Sequence, residues 1–153
     1  MKLKEKKPAP NFILPSTDGS LVELKKIKKN VILYFYPKDD TPGCTLESKD
    51  FNNLNSIIKK NDCIVFGISK DSIKSHLKFK KKYKLKFDLL SDEKIKVIKK
   101  YGVWGKKKFL GKSYIGLIRS TFLISKNKII KIWPNVRVKD HAQEVVEQLK
   151  LLK

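Results

Sequence analysis

The sequence predicts an α/β fold in which helices flank a central mixed sheet. The first observation behind this prediction is a pair of runs rich in β-branched and aromatic residues, at 31–36 and 63–69. Their continuous hydrophobicity is typical of strands buried on both faces. The second is that apolar residues at helical spacing follow each run, and such alternation implies right-handed crossovers between parallel strands. A later hairpin, at 121–133, makes the sheet mixed.

The beginning of the chain predicts a small hairpin in front of this sheet. Two short extended runs, 12–16 and 21–24, flank the turn residues Asp18-Gly19, a pattern that favours a tight β-turn. The run 31–36 is the first buried strand, and Pro37 ends it because proline cannot donate to a sheet ladder.

Two helices are predicted in the next part of the chain. Pro42 suits the first position of a helix, with Thr41 before it as N-cap. After the strand at 63–69, Asp71 or Ser72 can cap a second helix. The apolar residues expected to define their buried faces are Leu46, Phe51, Leu54, Ile57 and Ile58 in the first, and Ile73, Leu77, Phe79 and Tyr83 in the second.

The second half of the chain completes the predicted fold. Residues 87–90 indicate a short strand, 93–101 a short helix, and 102–116 a long loop that contains glycines and aromatic residues. The hairpin at 121–133 follows, and Asp140 caps a closing helix. This order of elements is that of a thioredoxin-like fold with an extra N-terminal β-hairpin.

The length and composition predict one domain over residues 1–153. The chain has 153 residues, 41% of them hydrophobic, which suffices for a single sizeable core. No Ser-, Gly- or Pro-rich stretch separates two halves.

The N-terminus and the cysteine content predict a cytoplasmic protein. The lysine-rich first residues lead into Pro8 and Pro10 rather than into the apolar run of a secretory signal. No stretch approaches the roughly 18 apolar residues of a membrane span, so we expect no membrane partner. In the cytoplasm the two cysteines, Cys44 and Cys63, stay reduced.

The net charge of +21 raises an alternative function. A basic protein could bind nucleic acid or an acidic partner, with Cys44 incidental. However, Arg119 and Arg137 are the only arginines among 36 cationic residues, and the lysines are spread along every segment. Phosphate recognition favours arginine, because the guanidinium donates two parallel hydrogen bonds. We therefore expect no specific nucleic-acid partner.

The segment 37–44 joins a buried strand to a helix, which is where open α/β sheets place their chemistry. Cys44 falls in the first helical turn, where backbone amides and the helix dipole stabilise a thiolate. Gly43 lets a small molecule approach the backbone, and the Thr41 hydroxyl can donate and accept a hydrogen bond. Cys44 is therefore a candidate nucleophile.

Other uses of the cysteine are less well supported. His76 and His141 are both distant in sequence from Cys44, which weakens a Cys-His hydrolase. The cysteines and histidines also lack the close paired spacings of a zinc site, so we expect neither a metal nor a cofactor. A thiol–disulfide oxidoreductase needs a second cysteine where Thr41 stands.

Several separated motifs carry a family resemblance. Pro37, Thr41 and Cys44 have the spacing Pro-x-x-x-Thr-x-x-Cys, which resembles the active-site signature of peroxiredoxins. The string TPGCT at 41–45 is similar to that of the bacterioferritin comigratory protein branch, also called peroxiredoxin Q. The resemblance covers nearly the whole chain and continues through YGVWG at 101–105, FLGK at 109–112 and RSTFLI at 119–124.

The resemblance implies a thiol-dependent peroxidase that reduces hydrogen peroxide and organic hydroperoxides. It implies that Cys44 attacks the peroxide O–O bond and becomes a sulfenic acid, while water or an alcohol leaves. Thr41 would orient the peroxide, Arg119 would lie beside the sulfur, and Pro37 would shield one side of the pocket. For Glu47, one turn into the helix, two interpretations stay open: a group that orients Arg119 or a water, or an ordinary carboxylate on the helix surface.

The chain departs from the family pattern at the resolving cysteine. Many members of this branch have that cysteine five residues after the peroxidatic one, where this chain has Lys49. Cys63 begins a buried strand and should lie at the opposite end of the sheet, too far away for a disulfide. We therefore expect no resolving cysteine, and a one-cysteine cycle completed by an external thiol such as thioredoxin, glutaredoxin or glutathione. The branch is commonly monomeric, so a monomer is expected.

Overall fold

A computed structural model describes residues 3–152, apart from the side chain of Phe109. Residues 1, 2 and 153, the ends of the predicted single domain, lie outside that part, and the single domain stays a prediction. Within the described residues the strands are β1 (Ile13–Pro15), β2 (Leu21–Glu23), β3 (Asn30–Phe35), β4 (Cys63–Ser69), β5 (Leu89–Ser91), β6 (Trp104–Phe109), β7 (Lys112–Leu117), β8 (Ser120–Ser125) and β9 (Lys128–Trp133). The helices are α1 (Pro42–Asn53), α2 (Asn55–Lys60), α3 (Ile73–Tyr83), α4 (Lys96–Lys100) and α5 (His141–Lys150), with a 3-10 turn at Leu24–Lys26.

The central sheet has five strands in the order β5-β4-β3-β8-β9. The pairs β3–β4 and β4–β5 are parallel, whereas β8 pairs antiparallel with both β3 and β9. β1 and β2 form a separate antiparallel hairpin. The predicted α/β fold with a mixed sheet, flanking helices and an N-terminal hairpin is confirmed.

The alternation of side chains along β3 divides the interior into two layers, because successive residues of a strand point to opposite faces. Leu33 and Phe35 pack in the layer with Tyr101. Ile32 and Tyr34 pack on the other face, in the layer that contains residues of α1, α3 and α5. All of β3 except Asn30 is buried, which explains its unbroken apolar sequence.

The predicted loop at 102–116 is wrong, because β6 and β7 form an antiparallel hairpin there. Its strands carry several lysines and do not alternate between apolar and polar residues, so the usual strand pattern is absent. The available signal was the turn. Leu110 and Gly111 both have positive φ, 52° and 77°, as the two central residues of a type I′ hairpin turn require.

The predicted buried faces of α1 and α3 are each wrong at one position. In α1, Leu46 is 50% exposed. The second position lies in α3. Leu77 is 47% exposed, whereas the side chain of His76 is fully buried. His76 completes a stripe with Ile73, Phe79 and Tyr83 at helical spacing. A polar residue in the middle of this stripe implies a specific buried partner, because an unpaired polar group is costly to bury.

Three further elements differ in extent from the prediction. The helix expected to run through Ile58 is broken at Leu54, so that α1 and α2 are separate. The helix expected at 93–101 covers only α4, because Ile95 has a left-handed φ of 53° and the helix starts after it. The strand predicted at 87–90 is observed at Leu89–Ser91.

The three predicted helix caps have different outcomes. The Ser72 hydroxyl accepts a hydrogen bond from the Ser75 amide, so this cap is confirmed. Thr41 and Asp140 stand at the N-cap positions of α1 and α5, but neither side chain makes a capping hydrogen bond.

Gly67 in β4 tests how tightly the layer around Tyr34 is packed. A Cβ atom at this position would lie 2.7 Å from Tyr34 Cζ and 2.9 Å from Leu89 Cδ2. Tyr34 cannot yield easily, because its ring is fully buried and stacked against Tyr36 and Phe51. We predict that Gly67→Ala lowers the free energy of unfolding by about 1–3 kcal/mol in urea titrations.

The matched control is Gly116→Ala, in the exposed β6–β7 hairpin, where the nearest atoms to the added Cβ are 3.5 Å away. It should change the free energy of unfolding much less. Equal effects of the two substitutions would contradict the packing described for Tyr34.

Candidate active site

Cys44 is the third residue of α1 and is 1% exposed. The helix starts here because Pro42 occupies its first position and Thr41 is extended, with φ −101° and ψ 156°. The Thr41 hydroxyl donates to the backbone carbonyl of Lys38 over 2.9 Å. It therefore does not cap the amides of the first turn.

Arg119 contacts the thiol although 75 positions separate it from Cys44 in the sequence. It directly precedes β8, whose first residue, Ser120, pairs with Phe35 at the end of β3. This antiparallel register brings Arg119 to the edge of the sheet where α1 begins. Its Nη2 donates to Cys44 Sγ over 3.2 Å.

The same guanidinium is bonded to a buried carboxylate. Arg119 Nη1 donates to Glu47 Oε1 over 2.6 Å, and Glu47 is only 1% exposed. Glu47 follows Cys44 by three residues, so both side chains lie on one face of α1. Of the two interpretations left open for Glu47, the surface carboxylate is excluded by its burial.

Burial dominates the electrostatics of Glu47. Desolvation raises the pKa of this carboxyl to about 7, although the Arg119 charge and hydrogen bond oppose the shift. Among the described residues, its Oε2 atom has no hydrogen-bond partner. Glu47 thus supplies a negative charge to Arg119 that depends on pH near neutrality.

Gly43 is required by the close approach of Arg119. A Cβ atom at residue 43 would lie 3.2 Å from Arg119 Nη2, tighter than ordinary van der Waals contact. The guanidinium therefore packs directly over the first turn of α1.

The layer under Cys44 contains further polar groups that the sequence did not single out. The Tyr34 hydroxyl and Ser48 Oγ are 2.8 Å apart, and His141 Nε2 is 2.7 Å from Thr121 Oγ1. Burial lowers the pKa of His141 to about 4, and the Arg119 charge lowers it further. His141 is therefore neutral at physiological pH and leaves Arg119 as the cation beside the sulfur.

The remaining predicted positions are spread around this centre. Pro37 is half-buried in the loop between β3 and α1. Lys49, at the place of the expected resolving cysteine, is exposed and borders a groove of about 300 Å³ next to Thr41 and Pro42. This position therefore lies at the surface beside the active-site loop.

Cys63 lies at the far end of the sheet. It is the first residue of β4 and pairs with Asn30, the first residue of β3, whereas Cys44 follows the other end of β3. A strand of this length spans on the order of 20 Å. Both cysteines are free, and burial raises the pKa of the Cys63 thiol to about 12.

Comparisons with known proteins show the family of the chain. Residues 6–132 match the model of the AhpC/TSA family, and the chain belongs to that family of peroxide-reducing oxidoreductases. Within the family, the chain is 45% identical to Peroxiredoxin Bcp of Bacillus subtilis over 144 residues, covering 93% of this chain and 92% of that protein. Peroxiredoxin Bcp of Escherichia coli K12 is 40% identical, with 93% and 92% covered.

Solved structures lead to the same branch. PrxQ of Xylella fastidiosa superposes with a TM-score of 0.91 at 33% identity, covering 98% of this chain and 97% of that one. Peroxiredoxin Q of Xanthomonas campestris gives 0.86 at 37% identity, covering 91% and 89%. The protein is thus a peroxiredoxin similar to the Bcp and PrxQ proteins, and the thioredoxin-like fold is confirmed. Within residues 3–152, the helices are too short or too polar to cross a membrane.

The pKa of Glu47 predicts how stability depends on pH. Because this pKa is raised from 4.5 to about 7 in the folded protein, the folded state holds a proton that the unfolded chain releases at lower pH. That stabilising contribution is complete below pH 4.5 and is lost as the pH rises through 7. Relative to Glu47→Gln, which cannot ionise, the wild type should lose roughly 3 kcal/mol of unfolding free energy between pH 4.5 and 7.5.

Urea titrations of both proteins at several pH values measure this difference. A difference that is the same at every pH would show that Glu47 is ionised throughout, contrary to its burial.

Proposed function

We propose that the protein reduces hydrogen peroxide and organic hydroperoxides at Cys44, in a one-cysteine cycle that an external thiol completes. The observation that carries the proposal is the Arg119 guanidinium, which contacts Cys44 Sγ and Glu47 Oε1 at the start of a helix. A cation so placed favours a thiolate, and a thiolate is the form that attacks peroxides. The family membership favours this enzyme over the alternative of a basic binding protein with an incidental Cys44.

In the first step the Cys44 thiolate attacks the terminal peroxide oxygen. The S–O bond forms as the O–O bond breaks, and the sulfur is oxidised to a sulfenic acid. The other oxygen leaves as hydroxide or alkoxide and takes a proton to become water or an alcohol. Arg119 stabilises the thiolate first and then the charge that develops on the leaving oxygen.

Thr41 and Pro37 serve this step from the loop before α1. The Thr41 hydroxyl donates its hydrogen bond to the Lys38 carbonyl. Its oxygen lone pairs can therefore accept a hydrogen bond from an incoming hydroperoxide. Pro37, which is half-buried beside this loop, restricts access of water to the sulfur. Glu47 holds the guanidinium in place.

A relative supports the inclusion of organic hydroperoxides. A structural study of the bacterioferritin comigratory protein of Xanthomonas campestris concerns its alkyl peroxide reduction activity; that protein has a TM-score of 0.85 and 36% identity, with 91% of this chain and 90% of that one covered. The groups proposed to act here bind the O–O end of the peroxide, which hydrogen peroxide and alkyl hydroperoxides share.

The return step requires a second molecule. An external thiolate attacks the sulfenic sulfur, releases the oxygen as water after protonation, and forms a mixed disulfide with Cys44. A second thiolate then attacks the sulfur of the first external thiol in this mixed disulfide. The bond to Cys44 breaks, and the Cys44 thiolate leaves. The exposed Lys49 and the distant Cys63 support this order, and thioredoxin, glutaredoxin or glutathione are the proposed reductants. A monomer in the cytoplasm is part of the proposal, and the charge of +21 disfavours self-association.

Cysteine variants test the one-cysteine cycle. With dithiothreitol as reductant, Cys44→Ser should abolish hydrogen peroxide consumption, while Cys63→Ser should retain most of it. Mass spectrometry of wild-type protein after peroxide treatment should find sulfenic, sulfinic or sulfonic acid at Cys44. An internal Cys44–Cys63 disulfide would refute the one-cysteine cycle, and salt-sensitive DNA binding without peroxide turnover would favour the basic binding protein.

Arg119→Lys tests the role of the guanidinium while keeping the positive charge. A lysine ammonium is a single point charge and cannot contact Cys44 and Glu47 through two fixed nitrogens. Loss of a preorganised donor should lower the second-order rate of Cys44 oxidation by about 100-fold, measured by stopped-flow fluorescence. Arg137→Lys, at the exposed second arginine, is the matched control. An unchanged rate in Arg119→Lys would mean that charge alone suffices.

A further inference from the structure

The loop between β3 and α1 is fastened by one buried carboxylate, that of Asp39. Asp39 is 7% exposed. Its Oδ1 accepts from the Tyr36 hydroxyl over 2.6 Å, and its Oδ2 accepts from Ser75 Oγ over 2.7 Å. Its backbone amide donates to Asp71 Oδ2 over 2.8 Å. The fourth contact, 2.8 Å from Oδ2, is Nδ1 of His76.

His76 faces hydrogen-bond acceptors on both sides of its ring. Its side chain is fully buried, and its Nε2 lies 2.9 Å from the backbone carbonyl oxygen of Leu90 in β5. Because a carbonyl oxygen only accepts, Nε2 must carry a proton. The short contact between Nδ1 and the Asp39 carboxylate then needs a second proton, either on the ring or on the carboxyl group.

This proton lies between His76 and Asp39 whichever of the two side chains carries it, so it joins them. Asp39 also accepts from two hydroxyl groups. The Tyr36 phenol stays a donor, since burial raises its pKa well above the ordinary value. Asp71 lies within 4.8 Å of both other groups.

We propose that His76 is a positioning residue for the peroxidase reaction: buried and hydrogen-bonded to both Asp39 and the Leu90 carbonyl, it holds the loop that carries Pro37 and Thr41 in the geometry for peroxide attack. The inference rests on the proposed function of Cys44 and Thr41.

The hydrogen-bonded pair of His76 and Asp39 lies next to the residues proposed to bind the peroxide. Asp39 directly follows Lys38, whose carbonyl oxygen accepts a hydrogen bond from the Thr41 hydroxyl. A shift of Asp39 would therefore change the direction of the Thr41 lone pairs. Asp40, with a left-handed φ of 57°, adds a second link from the loop to α3 through Lys82 and Tyr83. That link is exposed, so solvent weakens it relative to the His76–Asp39 pair.

The three residues Asp39, Asp71 and His76 could also be read as metal ligands. However, their converging atoms already bond one another or Ser69, Ser75 and the Asp39 amide. These hydrogen bonds give the polar atoms of the cluster their partners without an ion. They link the loop before α1 to α3.

Nitrogen NMR of the full chain tests the hydrogen bonds of His76 directly. The chain has two histidines, so the His76 signals can be assigned by their loss in His76→Gln. Nε2 of His76 should bear a proton, because it faces the Leu90 carbonyl oxygen. A His76 ring without a proton on Nε2 would overturn this arrangement.

Two reactions of the same thiol test the positioning role. In His76→Gln, oxidation of Cys44 by hydrogen peroxide should slow by about 10-fold or more, because a small misplacement of an orienting group is costly. Alkylation of Cys44 by iodoacetamide, which has no use for the Thr41 hydroxyl, should change by less than about 3-fold. Lys80→Gln, on the same helix as His76, is the matched control, since it removes the ion pair of Lys80 with Asp88 without touching the loop.

The outcomes separate this inference from the proposed function. If wild-type Cys44 does not react rapidly with peroxide, the proposed function fails and this inference fails with it. If the wild type reacts rapidly and His76→Gln is unimpaired, only the positioning role is overturned. Equal slowing of both reactions would indicate a general structural defect and would also overturn it.

Discussion

The active site depends on one guanidinium that is shared by two buried groups. Cys44 and Glu47 lie one turn apart on α1, and each contacts a different nitrogen of Arg119. Removing Arg119 would leave the buried Glu47 carboxyl without a hydrogen-bond partner among the described residues, which proteins rarely tolerate. The antiparallel register of β8 on β3 brings Arg119 to this site. Gly43, which has no side chain, leaves space for the guanidinium.

The topology of the sheet supports the proposed one-cysteine cycle. Parallel pairing of β3 with β4 puts Cys63 at the end where both strands begin, and Cys44 follows the end where β3 stops. The two thiols also differ in chemistry, since Cys63 lies in an apolar layer that raises its pKa to about 12, whereas Cys44 faces an arginine. The proposed sulfenic acid is therefore left to an external thiol, and to over-oxidation when that thiol is scarce.

The sequence predicts the parts of this structure that follow from local patterns. The buried strands, the helix that starts at Pro42 and the place of Cys44 in the first turn of that helix can all be read from neighbouring residues. The contact of Arg119 with Cys44 could not be predicted from such patterns, because 75 positions separate the two residues. The family resemblance and the scarcity of arginine indicated it. The His76–Asp39 pair was missed because Leu77 was assigned to the buried face. The β6–β7 hairpin was missed because lysines hide its strand pattern.

The central claim is that one thiol per chain reacts with peroxide. Its most direct test is to add one equivalent of hydrogen peroxide to reduced protein without reductant, unfold it in iodoacetamide, and count the alkylated cysteines by intact mass. The chain has two cysteines, so the account predicts one alkylated residue, Cys63, on a chain whose Cys44 carries oxygen. Loss of both alkylation sites, with the mass of an internal disulfide, would contradict it.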